Sequence, residues 1–544
     1  MDCKADIDSI RALDEQIREH EKTLIKLKRT RNSLLGISKL PPEVLGDIFH
    51  WNVTLKGDFG GLDKRSHNFL VVCHHWFEVA LRTPELWSFW GNTPTDWDRW
   101  YRRSGAAPLD LVLSVRYYTD DLNDGGLNGD LCDALKDRAT QDTIRCVHLK
   151  AEESKLIDNI IDELTTTGEE RPNSMESLIL WNLTGTGAVD VSHFFAHYRF
   201  PGLRRLDLTN CTISSWDHLS SRTCILTTLK LDFADPSRPS RFTPTPTPLP
   251  TTSQLLSMLA SNPTLQRVAL LSRAIPNGDG SESSSRVQLR HLEELRLDGN
   301  SQHVLKLVNQ LDHPRNLYLV LTLRDCDVVD ISQTIGPYLR DHLQRRDKSQ
   351  DGLNLLVSSA THCIDLHAGN ARGIDFSAPS WMGIPIFVRV RVQLPRALHE
   401  GVLRAAALDL ITCVPPEEVV HFRMHDEFAT GVDAYTRLPN LRALSVADVS
   451  LPAAFPNPNS IGEGEIFRSL EHIVLENMNV CGGDWSPLVT FLAHRVSSGS
   501  RLDTLVIISS PHMCPEVMES IRDMVRELRI QEQRPRHPRD RCCT

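Results

Sequence analysis

Leu203-Arg204-Arg205-Leu206-Asp207-Leu208 sets three leucines in the spacing L-x-x-L-x-L, and strict copies begin again at Leu226 and Leu292. Leu206 and Leu208 stand two apart, the period at which side chains of a strand return to one face. One such strand cannot cover its own apolar row, so the unit demands neighbours of the same kind. Looser copies start at Ile144, Met175, Leu265, Leu441, Leu470 and Leu502. Several share a lead-in: Pro201-Gly202-Leu203, Asn262-Pro263-Thr264-Leu265 and Leu438-Pro439-Asn440-Leu441. Successive starts from Ile144 to Leu292 are 31, 28, 23, 39 and 27 residues apart, and those from Leu441 to Leu502 are 29 and 32 apart.

Between Leu292 and Leu441 the pattern thins. Tyr318-x-x-Leu321-x-Leu323 and Val419-x-x-Phe422-x-Met424 are candidate copies. Val388-Arg389-Val390-Arg391-Val392 alternates as a half-buried strand does, and Arg404-Ala405-Ala406-Ala407-Leu408 suits a helix. The spacing resembles an irregular leucine-rich-repeat array, against the alternative of an unrelated α/β domain. The resemblance implies an α/β solenoid over 141–529, with parallel strands on a concave side and helices outside. Cys211 and Asn300 stand where such repeats bridge the turn backbone. The residues between inward leucines would line the concave face: Arg205, Asp207, Thr228, Lys230, Arg267, Glu294, Arg296, His472 and Val474. Their mixed charge suits a protein partner better than a polyanion.

Two interruptions read as loops. Residues 235–253 hold six prolines between Pro236 and Pro250, an extended and solvated composition. Its three Thr-Pro pairs at 243–248 are candidate phosphorylation sites, beside the reading of a bare insertion. Residues 275–286 form a Gly- and Ser-rich second loop. Over 515–529, Val517, Met518, Ile521, Met524, Val525 and Leu528 share one helical face, which predicts a helix covering the last repeat. The tail 530–544 reads as basic and disordered.

At the other end, Ile10, Leu13, Ile17, Leu24, Leu27 and Leu34 make a heptad seam over residues 1–36, with His20 and Arg31 at its two polar places. Such a helix is marginal alone, so it either dimerises the protein as a coiled coil or folds back on the next module. That module begins Leu40-Pro41-Pro42-Glu43-Val44-Leu45-Gly46-Asp47-Ile48-Phe49. Proline opens a helix without cost, Glu43 and Asp47 suit its dipole, and Leu45, Ile48 and Phe49 share a face. A polar loop over 52–68 contains Gly57, Gly60 and Gly61; a second helix is expected over 69–80, from Phe69 through Val72-Cys73-His74-His75-Trp76 to Ala80, ending at Thr83-Pro84-Glu85-Leu86-Trp87. Six of the ten tryptophans precede residue 101, and so much apolar surface on about fifty residues points to a protein partner.

Leu-Pro-Pro-Glu, Val-Leu, Ile-Phe, Val-Cys-x-x-Trp and Pro-x-Leu-Trp, in that order, resemble the F-box motif over residues 38–90, with an inter-helix loop as long as in variants expanded in fungi. The resemblance implies a small all-α module that binds the Skp adaptor of Skp–cullin–F-box ubiquitin ligases. Leu40, Pro41, Pro42, Leu45, Ile48 and Phe49 would face the adaptor or support that face. Val72, Trp76, Leu86 and Trp87 would complete the core and a second contact edge. Residues 91–140 connect the module to the repeats.

Composition narrows the rest. Sixty Lys and Arg against seventy Asp and Glu give a net charge of −10, which argues against a nucleic-acid surface. No stretch of uncharged residues is long enough to span a bilayer, and the charged start does not read as a signal peptide. Thirteen scattered cysteines read as reduced thiols of the cytoplasm or nucleus. No Walker loop, G-x-S-x-G elbow, H-E-x-x-H or C-x-x-C spacing occurs. His362-Cys363 with His367 reads as polar residues of a loop, and Asp325, Asp327 and Asp330 as a solvated turn, so neither metal nor cofactor is expected. Three functions stay open: a substrate receptor of a ubiquitin ligase, an interaction scaffold without ligase connection, and an enzyme of unfamiliar type. The first two involve no catalysis by this chain.

Overall fold

A computed structural model describes residues 3–531 except 55–63, 91–96, 116–134, 138–142, 153, 166–173, 184–188, 198–199, 214, 218, 220–224, 234–248, 277–285, 327–328, 330, 346–352, 361–362, 372–385, 395–399, 426–436, 450, 456–468, 479–483 and 509–514. The inter-helix glycines, the Thr-Pro run, Asp327, Asp330, His362 and the tail from 532 lie outside the described residues. The protein is mixed α/β with mostly parallel strands, in two compact units: 1–228 with 233–249, and 229–232 with 250–544. The division falls inside the expected repeat region.

The first unit starts with helix α1 (Cys3–Ser33) and a 3-10 turn Gly36–Lys39; α2 (Pro42–Thr54), a 3-10 stretch Lys64–Val71, α3 (His74–Leu81) and a turn Pro84–Leu86 follow. The expected helix 69–80 is broken at Val72 and Cys73. Cys73 is extended, with φ −161° and ψ 165°. Two β-branched valines before it, stiff at χ1, favour leaving the helix there. Strands β1 (Phe89–Trp90), β2 (Leu109–Val115), β3 (Ile144–Ala151), β4 (Ser177–Asn182) and β5 (Arg205–Thr209) then pair in sequence, all parallel. Helix α4 (Trp97–Ser104) precedes β2, and α5 (Ser154–Thr165) buries Leu156, Ile157, Ile160, Ile161 and Leu164.

Strand β6 (Thr228–Phe233) supplies residues 229–232 of the second unit. Helix α7 (Thr252–Ala260) starts inside the expected loop 235–253, because Thr251 and Gln254 close a capping box on its first turn, after α6 (Ser192–His197) of the first unit. There follow β7 (Arg267–Ser272), β8 (Glu294–Asn300), α8 (Ser301–Asn309), β9 (Tyr318–Arg324) and α9 (Gly336–Gln344); then β10 (Leu353–Ala360), β11 (Cys363–Asn370), β12 (Ile386–Gln393) and α10 (Glu400–Thr412); and finally β13 (Val419–His425), β14 (Ala443–Ala447), α11 (Leu451–Ala454), β15 (His472–Glu476), α12 (Ser486–Ser497), β16 (Leu502–Ile508), α13 (Pro515–Met524) and β17 (Val525–Gln531).

All nine expected repeat starts are buried, from Ile144 to Leu502, as are the two apolar residues that follow in each triplet. The lead-ins share a bond: the amides of Leu203, Leu265, Leu292 and Leu441 donate to the carbonyls of Phe200, Asn262, Leu289 and Leu438 at 3.2–3.3 Å. Five strands end at a left-handed residue: Asn210 (φ 54°), Ser272 (57°), Asp325 (51°), Asp448 (56°) and Asn477 (49°). Short polar side chains tolerate that conformation best, which explains why Asn and Asp recur there. Asn210 Nδ2 also donates to Asn182 O at 2.7 Å, tying one strand end to the next. Cys211 Sγ reaches Leu180 O at 3.7 Å, while Asn300 instead caps α8 by accepting from Gln302 N.

Two expectations fail in the second unit. The strands are not all parallel. In space the order is β9-β12-β11-β10-β13, with β11 antiparallel to both neighbours and β9–β12 and β10–β13 parallel. From β9 the chain passes three places along to β10, doubles back through β11 to β12 beside β9, and resumes beyond β10 at β13. Each of these strands alternates, and alternation carries no strand direction. The terminal helix stops at Met524, and Val525–Gln531 pairs parallel with β16. That pairing satisfies an otherwise open strand edge, which a helix would leave exposed.

Candidate functional site

Two surfaces of the chain present groups that its own core does not use. The first is the helical module. Leu45, Phe49, Phe69, Val79, Ala80, Leu86 and Trp87 form one buried cluster. Phe49 stacks on Phe69 at 4.5 Å and meets Trp76 at 5.1 Å. Trp87 Nε1 donates to Ala80 O at 2.8 Å, Trp100 packs edge-on at 5.1 Å, and the Arg103 guanidinium lies 4.3 Å above the Trp87 ring. Gly46 packs closely on the turn: a Cβ there would come within 3.1 Å of Thr83 Oγ1.

Of the expected adaptor residues, Leu45, Phe49, Leu86 and Trp87 are therefore core; Leu40 and Trp76 are half-buried; Pro41, Pro42, Ile48 and Val72 are exposed. The outer face of α2 carries Val44, Ile48 and Trp51 at positions i, i+4 and i+7, all exposed. Val71 is 84% exposed beside Val72. Sequence reasoning had not singled out Val44, Trp51 or Val71 as contacts, although the first two follow from helical spacing around Ile48.

The second surface, taken in each unit by itself, is the sheet face opposite the buried leucines. In the first unit Arg205 and Asp207 lie on it, on β5. In the second unit Lys230 lies on it on β6, Arg267 on β7, Glu294 and Arg296 on β8, and His472 on β15. Glu294 binds Arg296 on its own strand and lies 3.9 Å from Arg267 across the pair, so these three converge. His472 stands seven strand places from β8, roughly 34 Å along the sheet at ~4.8 Å per strand.

The centre of this face, at β10 to β15, was missed. Asp365 takes a two-pronged bond from Arg391 at 2.7 and 2.9 Å. Arg324 meets Asp298 at 2.7 Å, and Arg423 reaches across β14 to Glu476 at 2.8 Å. His421 Nε2 shares a hydrogen with Ser445 Oγ at 3.1 Å. Burial, then Arg423 and His472, push His421 down to about 3. Burial and Arg389 push His367 down to about 4, against the opposing pull of Asp365. Both imidazoles are thus neutral at pH 7. Hydrogen bonding to Asp365 raises the Arg391 guanidinium, whereas burial lowers that of Arg423 despite Glu476.

Cys363 and His367 sit on strand β11, not in a loop, because Ile364, Leu366 and Ala368 alternate with them and are buried. Asn354, Leu356, His367, Gly369, Ile386, His421 and Arg423 enclose a cavity of about 20 Å³, room for one water. It lies between the strands whose order reverses, towards the amino ends of β10, β12 and β13. Among the described residues no group of three His, Cys, Asp or Glu could hold a metal ion, and no helix is long and apolar enough to cross a membrane. Burial raises the Cys146 and Cys211 thiols and pushes Cys413 up to about 11, so none of these is a nucleophile at neutral pH. Around β10 to β13, then, His367 and His421 are neutral and the neighbouring arginines are paired with carboxylates. Compared with known proteins, the chain matches no family model and no curated protein.

Proposed function

We propose that the protein is the substrate-recognition subunit of a Skp–cullin–F-box ubiquitin ligase, working in the cytoplasm, the nucleus or both. The helical module docks on the Skp adaptor, and the repeat-like sheet faces bind a protein substrate, through Arg205 and Asp207 in the first unit and through Lys230, Arg267, Glu294, Arg296 and His472 in the second. The protein does no chemistry itself; it raises the effective concentration of one protein beside another's catalyst. The observation that carries the reading is the division of the module's apolar residues. A closed core around Trp87 leaves Val44, Ile48, Val71 and Val72 exposed outside it, an apolar patch on a small module.

The test is pull-down of purified Skp adaptor by the full chain. Binding is expected, and Ile48→Asp with Val72→Asp abolishes it while circular dichroism is unchanged, since both side chains lie outside the core. An intact chain that ignores the adaptor, or a double variant that binds as before, overturns the proposal in favour of a scaffold without ligase connection.

A further inference from the structure

Along helix α1 the side chains from Asp8 to Arg31 are exposed. Ile10, Leu13, Ile17, Leu24 and Leu27, with Leu34 just past the helix end, are 51–72% exposed, so among the described residues the heptad seam is left unpacked. Among the described residues its last turn approaches the module, where Arg29, Asn32 and Ser33 line a cleft with His74, His75 and Glu78 of α3. A 31-residue helix with a narrow apolar stripe needs a partner helix.

Charge says which partner and in which direction. Residues 4–21 carry six acids and three bases, while 22–33 carry five bases and no acid. Two parallel copies lay like charge along like. They also place Arg31 against Arg31 and His20 against His20 inside the seam, an uncompensated charge pair in an apolar layer. Reversing one copy pairs Ile10 with Leu34, Leu13 with Arg31, Ile17 with Leu27 and His20 with Leu24. Every polar seam residue then faces a leucine along which its stem can lie while its head reaches water. Asp14 and Lys28 fall at the same flanking heptad position, and reversal brings each beside the other's counterpart twice. Glu21 meets its own copy at the axis, a solvated rim contact worth a few tenths of a kcal/mol.

We propose that the protein is a homodimer joined by an antiparallel coiled coil of α1. The two helical modules then stand at opposite ends of a rod about 46 Å long, at ~1.5 Å per residue. This does not rest on the adaptor reading, because self-association and adaptor binding are measured separately.

The experiment is light scattering on the full chain across a concentration series. The wild type is expected to give twice the chain mass, and Leu24→Asp with Leu27→Asp the chain mass alone. Asp14→Lys weakens the dimer about tenfold, and adding Lys28→Asp restores it, because reversed charges pair again only in the antiparallel arrangement. Carbodiimide treatment of the wild type supplies a readout independent of any variant. It should join Asp14 to Lys28, which lie about 21 Å apart within one helix and so can be bridged only between copies. A monomer at every concentration, a dimer indifferent to Leu24→Asp with Leu27→Asp, or a dimer in which Asp14→Lys costs nothing, overturns the proposal.

Discussion

Removing the Glu476 carboxylate strands a buried guanidinium. Arg423 and Glu476 are 12% and 11% exposed in their side chains and meet at 2.8 Å across the intervening strand β14. Burial already disfavours charged Arg423, and Glu476 supplies the largest opposing effect. Glu476→Leu takes that away and leaves the charge in low dielectric. Breaking such a pair from one side costs about 3–5 kcal/mol. Replacing both partners by apolar residues of similar size, Arg423→Met with Glu476→Leu, removes charge and desolvation cost together and is expected to cost under ~1 kcal/mol. A chain with two compact units need not unfold in one step, so a local assay is the right one. Hydrogen exchange reports opening of β13, β14 and β15 directly. A ~3 kcal/mol loss appears there as amides exchanging about 150-fold faster in Glu476→Leu, with near wild-type rates in the double variant. A single variant that changes exchange less than fivefold, or a double variant whose cost is the sum of the two singles, refutes the reasoning.

Three further outcomes are expected. His367 and His421 titrate at about 4 and about 3 in the fold, below their ordinary 6.5. The unfolded chain therefore takes up protons first as pH falls. Stability is full above 6.5 and is lost from there towards 4 and 3, by up to ~1.4 kcal/mol per pH unit per histidine. His421→Gln should flatten the urea midpoint between pH 6.5 and 4.5, and an unchanged slope counts against the assignment. Gly336→Ala would put a Cβ 2.5 Å from Cys413 Sγ and should cost ~1–3 kcal/mol by thermal unfolding, with most of the loss absent in a Cys413→Ala background. Leu45→Ala, in the module core, should cost ~2–5 kcal/mol, whereas Ile48→Ala four-tenths exposed on the same helix should stay within ~0.5; equal effects would mean that the core and the outer face of α2 are misassigned.

The triplets were legible because burial in a strand imposes a period of two, and Leu203, Leu206 and Leu208 each meet that demand locally. The same signal was blind to direction. Val388-Arg389-Val390 looks alike whether its neighbour runs with it or against it, so the reversal of β11 had no mark in the sequence. His367 was misplaced for a different reason: Ile364, Leu366 and Ala368 carry the alternation, but without a leading leucine it did not resemble the other copies. At the terminus, Val525 and Leu528 fit a helical face and a strand edge equally well, and the open edge of β16 decided between them. The Arg423–Glu476 pair joins residues 53 apart, a distance at which no single-sequence pattern predicts contact. On α2, spacing gave the helix and the shared face of Leu45 and Phe49, but only packing against Phe69 and Trp76 shows that Ile48 lies outside it.

For the proposed binding of a protein by the sheet face, the paired charges decide the kind of recognition. Five arginines along it, Arg296, Arg324, Arg391, Arg423 and Arg529, each hold a carboxylate of this chain. Such a clamped arginine presents little net field, so these five do not steer a charged partner from a distance. What it offers is a fixed set of donors and acceptors on a stiff sheet, with two neutral histidines and the water-sized cavity at the point where strand order reverses. A partner that exploits it must match those groups at short range, and desolvating them is tolerable because each charge keeps its partner during binding. Salt screens attraction between free surface charges and leaves short, mutually satisfied hydrogen bonds largely intact. Binding to this face therefore weakens little between low and physiological ionic strength, and most of its affinity resides in the rate at which the complex comes apart.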